Sequence, residues 1–216
     1  MDKIIPRWEW RTFGESFGEA DERFRACTPE KIRESSEIYI LSAVSNDNTK
    51  IRDTLMDIKT LQQVNEDGLE QWMPVMKGSF PLPTGEITKV FAAFRVAPPP
   101  FTRESYTLEQ FLGELVQKSR HLRAVDVKKV RTGYTINGCI AELAQVTAGG
   151  KTIRTAAVEA EDPGRVIATV RDLQLIRFPN IKVPISGLAC GARNPVSSVT
   201  MIGNRTRVRL PTGRST

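Results

Sequence analysis

Lys151-Thr-Ile-Arg-Thr-Ala-Ala-Val-Glu-Ala-Glu-Asp-Pro163 reads as a β-strand that ends in two glutamates just before a capped helix. Alternate side chains of a pleated strand share a face, so Thr155, Ala157, Glu159 and Glu161 point one way and Arg154, Ala156 and Val158 the other. Glu159 and Glu161, about 7 Å apart, suit either a solvent-facing strand end or a shared divalent cation. Asp162 is placed to cap the following helix with Pro163 at its first position, and Val166, Ile167, Val170 and Leu173 give that helix a buried face. Upstream, Ala148-Gly149-Gly150 turns into this strand from a strand over Cys139 to Thr147 that carries Glu142. Asn137-Gly138, the strongest hairpin signal of the chain, joins that strand to Val130–Ile136, with Arg123–Lys129 leading in.

The first half repeats the strand theme. In Ile4–Phe13 the residues Arg7, Glu9, Arg11 and Phe13 fall on one face, while Trp8 and Trp10 share the other as core candidates. Thr28-Pro29-Glu30-Lys31 predicts a short helical turn, and Ser36–Leu41 a second strand. Thr49–Arg52 and Met56–Leu61 form a hairpin around Asp53-Thr54-Leu55; Leu69–Met76 follows as a strand that Pro74 pushes to an edge or a bulge. Ile87–Phe94 has helical spacing and stops before Pro98-Pro99-Pro100. Thr107 and Gln110 make a capping box for a helix to about Lys118, striped by Leu108, Phe111, Leu112 and Leu115. The sum is seven or eight mostly antiparallel strands with a few covering helices, an α+β or barrel-like architecture.

Bulk properties narrow the function. The chain has 216 residues, 40% hydrophobic and 26% charged, which is ordinary for a globular protein. No run approaches the ~20 apolar residues of a membrane span and the first residues lack a signal-peptide core, so a cytoplasmic protein is expected. Cys27, Cys139 and Cys190 are too far apart for a metal knuckle, and His121, the single histidine, sits in a basic Ser-Arg-His-Leu-Arg context that argues against a nucleophile–histidine pair. Of the net charge of +6, the stretch from Cys190 to Thr216 supplies Arg193, Arg205, Arg207, Arg209 and Arg214 and no acid, which leaves the body nearly neutral. Such an end reads as a solubilising tail with the option of docking on polyanions, and the neutral body gives a nucleic acid little footing.

Lys50, Arg52, Lys59 and Lys77 lie on consecutive strands, and strand-borne cations reappear in the second half among the glutamates. A barrel lined this way is costly unless ligands complete it, because unpaired buried charges cost several kcal/mol each. The pattern resembles the CYTH (triphosphate tunnel metalloenzyme) family over about residues 5 to 190. Arg7-Trp-Glu-Trp-Arg11-Thr-Phe13 takes the place of its E-x-E-x-K signature, and Ile38-Tyr-Ile-Leu41 that of its second strand. Lys50-Ile-Arg52 with Ile58-Lys59 resembles its basic hairpin, Lys129-Val-Arg131 its central basic strand and Val158-Glu-Ala-Glu161 its acidic strand. With Gly68-Leu-Glu-Gln-Trp72, the likeness is closest to CYTH-like proteins related to exopolyphosphatases.

The resemblance implies an eight-stranded antiparallel tunnel with covering helices, assigned to residues 1–190, and the composition beyond it implies a flexible basic tail over 191–216. It further implies a metal-dependent phosphohydrolase acting on inorganic triphosphate, polyphosphate or nucleoside triphosphates. A non-catalytic polyphosphate- or nucleotide-binding module and an adenylate cyclase of the same fold are the alternatives. By this likeness Arg11, Lys50, Arg52, Lys59, Lys129 and Arg131 would grip phosphate oxygens. Glu9, Glu142, Glu159 and Glu161 would hold Mg²⁺ or Mn²⁺, and Glu159, Glu161 and Lys59 would serve the catalytic step. Two positions depart from the signature: Arg7 stands where a glutamate is expected, and Arg11 replaces the final lysine.

Overall fold

The computed structural model describes residues 5–181. The expected basic tail lies outside them. The chain forms β1 (Arg7–Gly14), α1 (Glu19–Arg25), β2 (Lys31–Ser42), β3 (Asn48–Arg52), β4 (Leu55–Val64) and β5 (Glu70–Ser79). It continues through β6 (Leu82–Pro83), α2 (Thr84–Phe94), β7 (Ser105–Tyr106), α3 (Leu108–Gln110), β8 (Leu122–Ile136), β9 (Cys139–Ala148), β10 (Lys151–Ala160) and α4 (Pro163–Asp172). Eight strands close into a barrel in the order β1-β10-β9-β8-β2-β3-β4-β5, with every pairing antiparallel. The α+β tunnel architecture with covering helices is therefore what the chain builds.

Closure rests on alternation. Trp8 and Trp10 of β1 and Ala156, Val158 and Ala160 of β10 face outward into one core with Phe17 and Phe24 from the α1 region and Val166, Ile167 and Val170 of α4. On the opposite side Ile40, Ile51, Met56, Ile58 and Met76 pack under Ile87, Val90 and Phe91 of α2 and under Phe111 and Leu115. A third cluster, Tyr39, Val125, Val127, Val146 and Ala148 with Leu41 and Ile153, comes from the inward face of β2, β8, β9 and β10 and fills part of the lumen with apolar side chains.

Local signals act as read at most places. Thr107 and Gln110 form a complete capping box, Asp162 Oδ1 accepts from Gly164 N with Pro163 in the first turn, and Asn137-Gly138 turns β8 into β9 with both residues at positive φ. Pro74 sits beside a bulge: Ile58 pairs with Met76 but Lys59 with Pro74, so Val75 is the extra residue and a proline that cannot donate to the ladder is accommodated. Three expectations need correction. Thr28–Lys31 is not helical; Lys31 already begins β2, and the helix lies earlier as α1, where Glu19, Asp21 and Glu22 in its first turn suit the helix dipole. Arg123–Lys129 does not merely lead into a strand but belongs to the 15-residue β8. Beyond Gln110 the capped helix continues as π-helical Phe111–Val116.

Candidate functional site: a charged barrel lumen

Opposite the outward tryptophans, β1 points Glu9 and Arg11 into the barrel; β2 contributes Glu37 and Tyr39, β3 Lys50 and Arg52, and β4 Asp57 and Lys59. On the remaining strands Lys129 and Arg131, Glu142, and Thr155 and Glu159 face the same way. The charges sort into two walls. On the wall of β2, β3 and β8, one carboxylate serves several cations. Glu37, whose side chain is fully buried, accepts from Arg131 Nη2 at 2.5 Å and lies 3.6 Å from Lys129 Nζ and 3.7 Å from Arg52 Nη1. Burial pushes the Glu37 carboxyl up, but Lys129, Lys50 and Arg131 outweigh it and hold it down at about 2. Lys129 Nζ also donates to Tyr39 Oη at 2.7 Å and lies over the Tyr39 ring. Burial lowers the Lys129 ammonium to about 8 against the opposing pull of Glu37, and likewise lowers Lys50, whose carboxylate neighbours are Glu37 and Asp57. Glu37 Oε2, Asp57 Oδ1 and Arg131 Nε are buried here without a hydrogen-bond partner.

The wall of β1, β9 and β10 is organised the other way, with guanidiniums placed among carboxylates. Arg11 Nε donates to Glu9 Oε1 at 2.7 Å, its Nη1 donates to Thr155 Oγ1, and Nη1 lies 3.6 Å from Glu142 Oε1. Burial by itself would lower the Arg11 guanidinium, but Glu9 and Glu142 raise it; burial raises Glu9, and Arg11, Lys59 and Lys129 bring it below the usual carboxylate range. Arg7 Nη1 reaches Glu159 Oε1 at 3.2 Å, directly across from Glu9 in the β1–β10 register. Arg7, Glu159 and Glu161 line a cavity of about 330 Å³ with Lys59, Trp72, Pro74 and Ile5. β5 pairs with β1 only as far as Glu9, and Asn180 and Ile181 take over the Arg11 backbone: Asn180 Oδ1 accepts from Arg11 N and Ile181 N donates to Arg11 O.

All ten residues named from sequence thus lie on the lumen or at this cavity. They come together as two groups, Lys50, Arg52, Lys129 and Arg131 about Glu37, and Arg11 with Glu9 and Glu142, while Lys59, Glu159 and the exposed Glu161 line the cavity with Arg7. Sequence reading missed Glu37, Tyr39, Asp57 and Thr155; the alternation of Glu37 and Tyr39 with Ile38 and Ile40 was the available signal. Arg154 lies on the outer face and pairs with Asp21 at 2.6 Å, and His121 lines a separate outer cleft.

The four expected cation ligands do not converge. Glu9 and Glu142 share Arg11, Glu159 holds Arg7, and among the described residues no three His, Cys, Asp or Glu side chains gather where a metal ion could sit. A divalent ion could bind these carboxylates only by displacing the guanidiniums that already hold them. The carboxylates as arranged therefore do not fit Mg²⁺ or Mn²⁺.

No family model matches the sequence, and no curated protein matches it. Solved structures do. A protein from Hippeastrum, named as an adenylyl cyclase and credited with a dominant triphosphatase activity, superposes with a TM-score of 0.53 at 14% identity, over 88% of this chain and 99% of its own. A Bacillus halodurans protein named as an adenylate cyclase gives 0.51 at 12% identity, over 85% of this chain and 96% of its own. Among the described residues no helix is long and apolar enough to cross a membrane. The likeness in eight-stranded closure establishes that this chain has the CYTH-type triphosphate-tunnel fold.

Proposed function

We propose that the lumen binds a linear condensed phosphate, either an inorganic triphosphate or polyphosphate or the triphosphate of a nucleotide, and hydrolyses its terminal phosphoanhydride. The observation that carries this reading is the wall on which Arg52, Lys129 and Arg131 gather on Glu37 while Lys50 lies between Glu37 and Asp57, four cations to two carboxylates. Its positive charge exceeds what the protein supplies to neutralise it, and Arg131 Nε is left without an acceptor. A chain of phosphates brings both the charge and the acceptors.

Phosphoryl transfer asks a protein mainly for position and charge. Arg131 and Arg52 would hold the oxygens of the terminal phosphoryl and Lys129 and Lys50 those of the next phosphate, which receives the electron pair when the bridging P–O bond breaks. A water oxygen forms the new P–O bond, and its proton leaves with the phosphate product. Tyr39 Oη fixes Lys129 Nζ, and at the cavity Lys59, Glu159 and Glu161 would face the entering substrate. The triphosphatase activity credited to the Hippeastrum neighbour supports the reaction class.

The arginine-paired carboxylates favour a second reading, a binding module that holds the anion without turning it over. Phosphate release from tripolyphosphate, assayed in chelator, in Mg²⁺ and in Mn²⁺, separates the two: release that disappears in Arg131→Ala supports the hydrolase. Binding without release in all three buffers leaves the module.

A further inference from the structure

Building on the condensed-phosphate reading, we infer that Arg7 and Arg11 occupy the acidic wall in place of a divalent cation, so that the lumen takes its phosphate chain as the metal-free anion. Three observations carry this. Arg11 lies between Glu9 and Glu142 with 2.7 Å and 3.6 Å contacts, which spends both carboxylates on one charge that cannot dissociate. Arg7 reaches across the register to Glu159 at 3.2 Å and stands at the cavity where a chain of phosphates would enter. Thr155 Oγ1 accepts from Arg11 Nη1, so the guanidinium is held by neutral as well as charged partners. A cation that joined this wall would have to displace two guanidiniums, whereas a phosphate oxygen needs only to share them. Mg²⁺ complexed to the chain in solution then competes with the lumen for the same oxygens.

The test uses the full chain and two titrations. Calorimetry with tripolyphosphate is run in excess EDTA and in excess Mg²⁺, and Mn²⁺ alone is titrated into the protein while the free ion is followed by its paramagnetic resonance signal. The expected results are an affinity in EDTA at least equal to that in Mg²⁺, and no Mn²⁺ retained at tens of micromolar. Arg7→Glu should reverse both, retaining Mn²⁺ and losing at least tenfold in tripolyphosphate affinity in EDTA, with recovery when Mn²⁺ is present. Arg7→Gln, which removes the charge without adding a carboxylate, should lose severalfold in EDTA. Binding of tripolyphosphate by the intact chain only in the presence of a divalent cation, or Mn²⁺ retained equally by the intact chain and Arg7→Glu, overturns the inference. No binding in either buffer overturns the condensed-phosphate reading along with it, while Mn²⁺ retention still reports on the wall by itself.

Discussion

The two walls of the lumen solve opposite problems with the same residue types. Around Glu37 the protein gathers several cations on one fully buried carboxylate, and polar atoms are left unpartnered. Across the barrel, Arg7 and Arg11 are distributed over Glu9, Glu142 and Glu159, and each of these carboxylates has a guanidinium within 4 Å. Buried charge that is not matched inside the protein is costly unless a ligand completes it. On the proposed reading the cationic wall is the main binding surface, while the paired wall frames it and lends Arg7 and Arg11 to the phosphate oxygens.

The largest effect is expected from removing Glu37, the central acid of the cationic wall. Glu37→Gln leaves Lys129, Arg131 and Arg52 without their shared partner, and loss of one member of a buried ion network costs about 3–5 kcal/mol. Urea unfolding should show that loss, and millimolar tripolyphosphate should restore more stability to the variant than to the parent. The pH dependence agrees in sign. Because the folded Glu37 carboxyl is held at about 2, below its ordinary 4.5, its contribution is present above pH 4.5 and is lost as pH falls toward 2. That shift corresponds to about 3 kcal/mol. An unfolding free energy unchanged in Glu37→Gln would show that the cations are compensated elsewhere.

Next in size is ligand binding. A charge-assisted hydrogen bond contributes about 1.5–3 kcal/mol, so Arg131→Ala should weaken tripolyphosphate binding by roughly 10- to 100-fold in calorimetry. Equal losses from alanine substitution at Arg131 and at Glu142 would erase the distinction between the walls. A smaller effect follows from Lys129, whose ammonium is lowered to about 8. A bound polyanion favours the protonated form, so affinity is fully present below pH 8 and declines above it, by up to about tenfold per pH unit. Lys129→Arg should flatten that decline; an identical slope in the variant would assign the titration to another group.

Most of the barrel was legible because its strands are locally written. Trp8 and Trp10 against Glu9 and Arg11, the Asn137-Gly138 turn and the Thr107–Gln110 box each act within a few residues, and each holds in the structure. What escaped depends on contacts remote in sequence. Glu37 reads as one charge on a strand until β8 lies beside β2 and brings Arg131 opposite Arg33 and Lys129 opposite Ser35. Only then is it the centre of a cationic wall. Arg7 and Glu159 are 152 positions apart, so their pairing, and with it the neutralised acidic wall, follows from closure of β1 on β10. α1 was missed because Thr28-Pro29 offers a stronger local helix start than Gly18, which makes no side-chain cap.

The smallest expected effect discriminates most sharply between a wall that frames and a wall that binds. Arg7 and Glu159 are part-exposed, at 48% and 23% of their side chains, so Glu159→Gln should cost less than about 1 kcal/mol in urea unfolding. The same change frees the Arg7 guanidinium for an incoming phosphate. Tripolyphosphate affinity in chelator should therefore hold or rise a few-fold, although a carboxylate has been removed from the site. A tenfold loss that appears only when Mg²⁺ is present would mean that Glu159 works through a cation, and the two walls would then be halves of one metal-bridged site. An affinity that holds in both buffers would mean that the carboxylates of β1, β9 and β10 position arginines, and that the arginines meet the substrate.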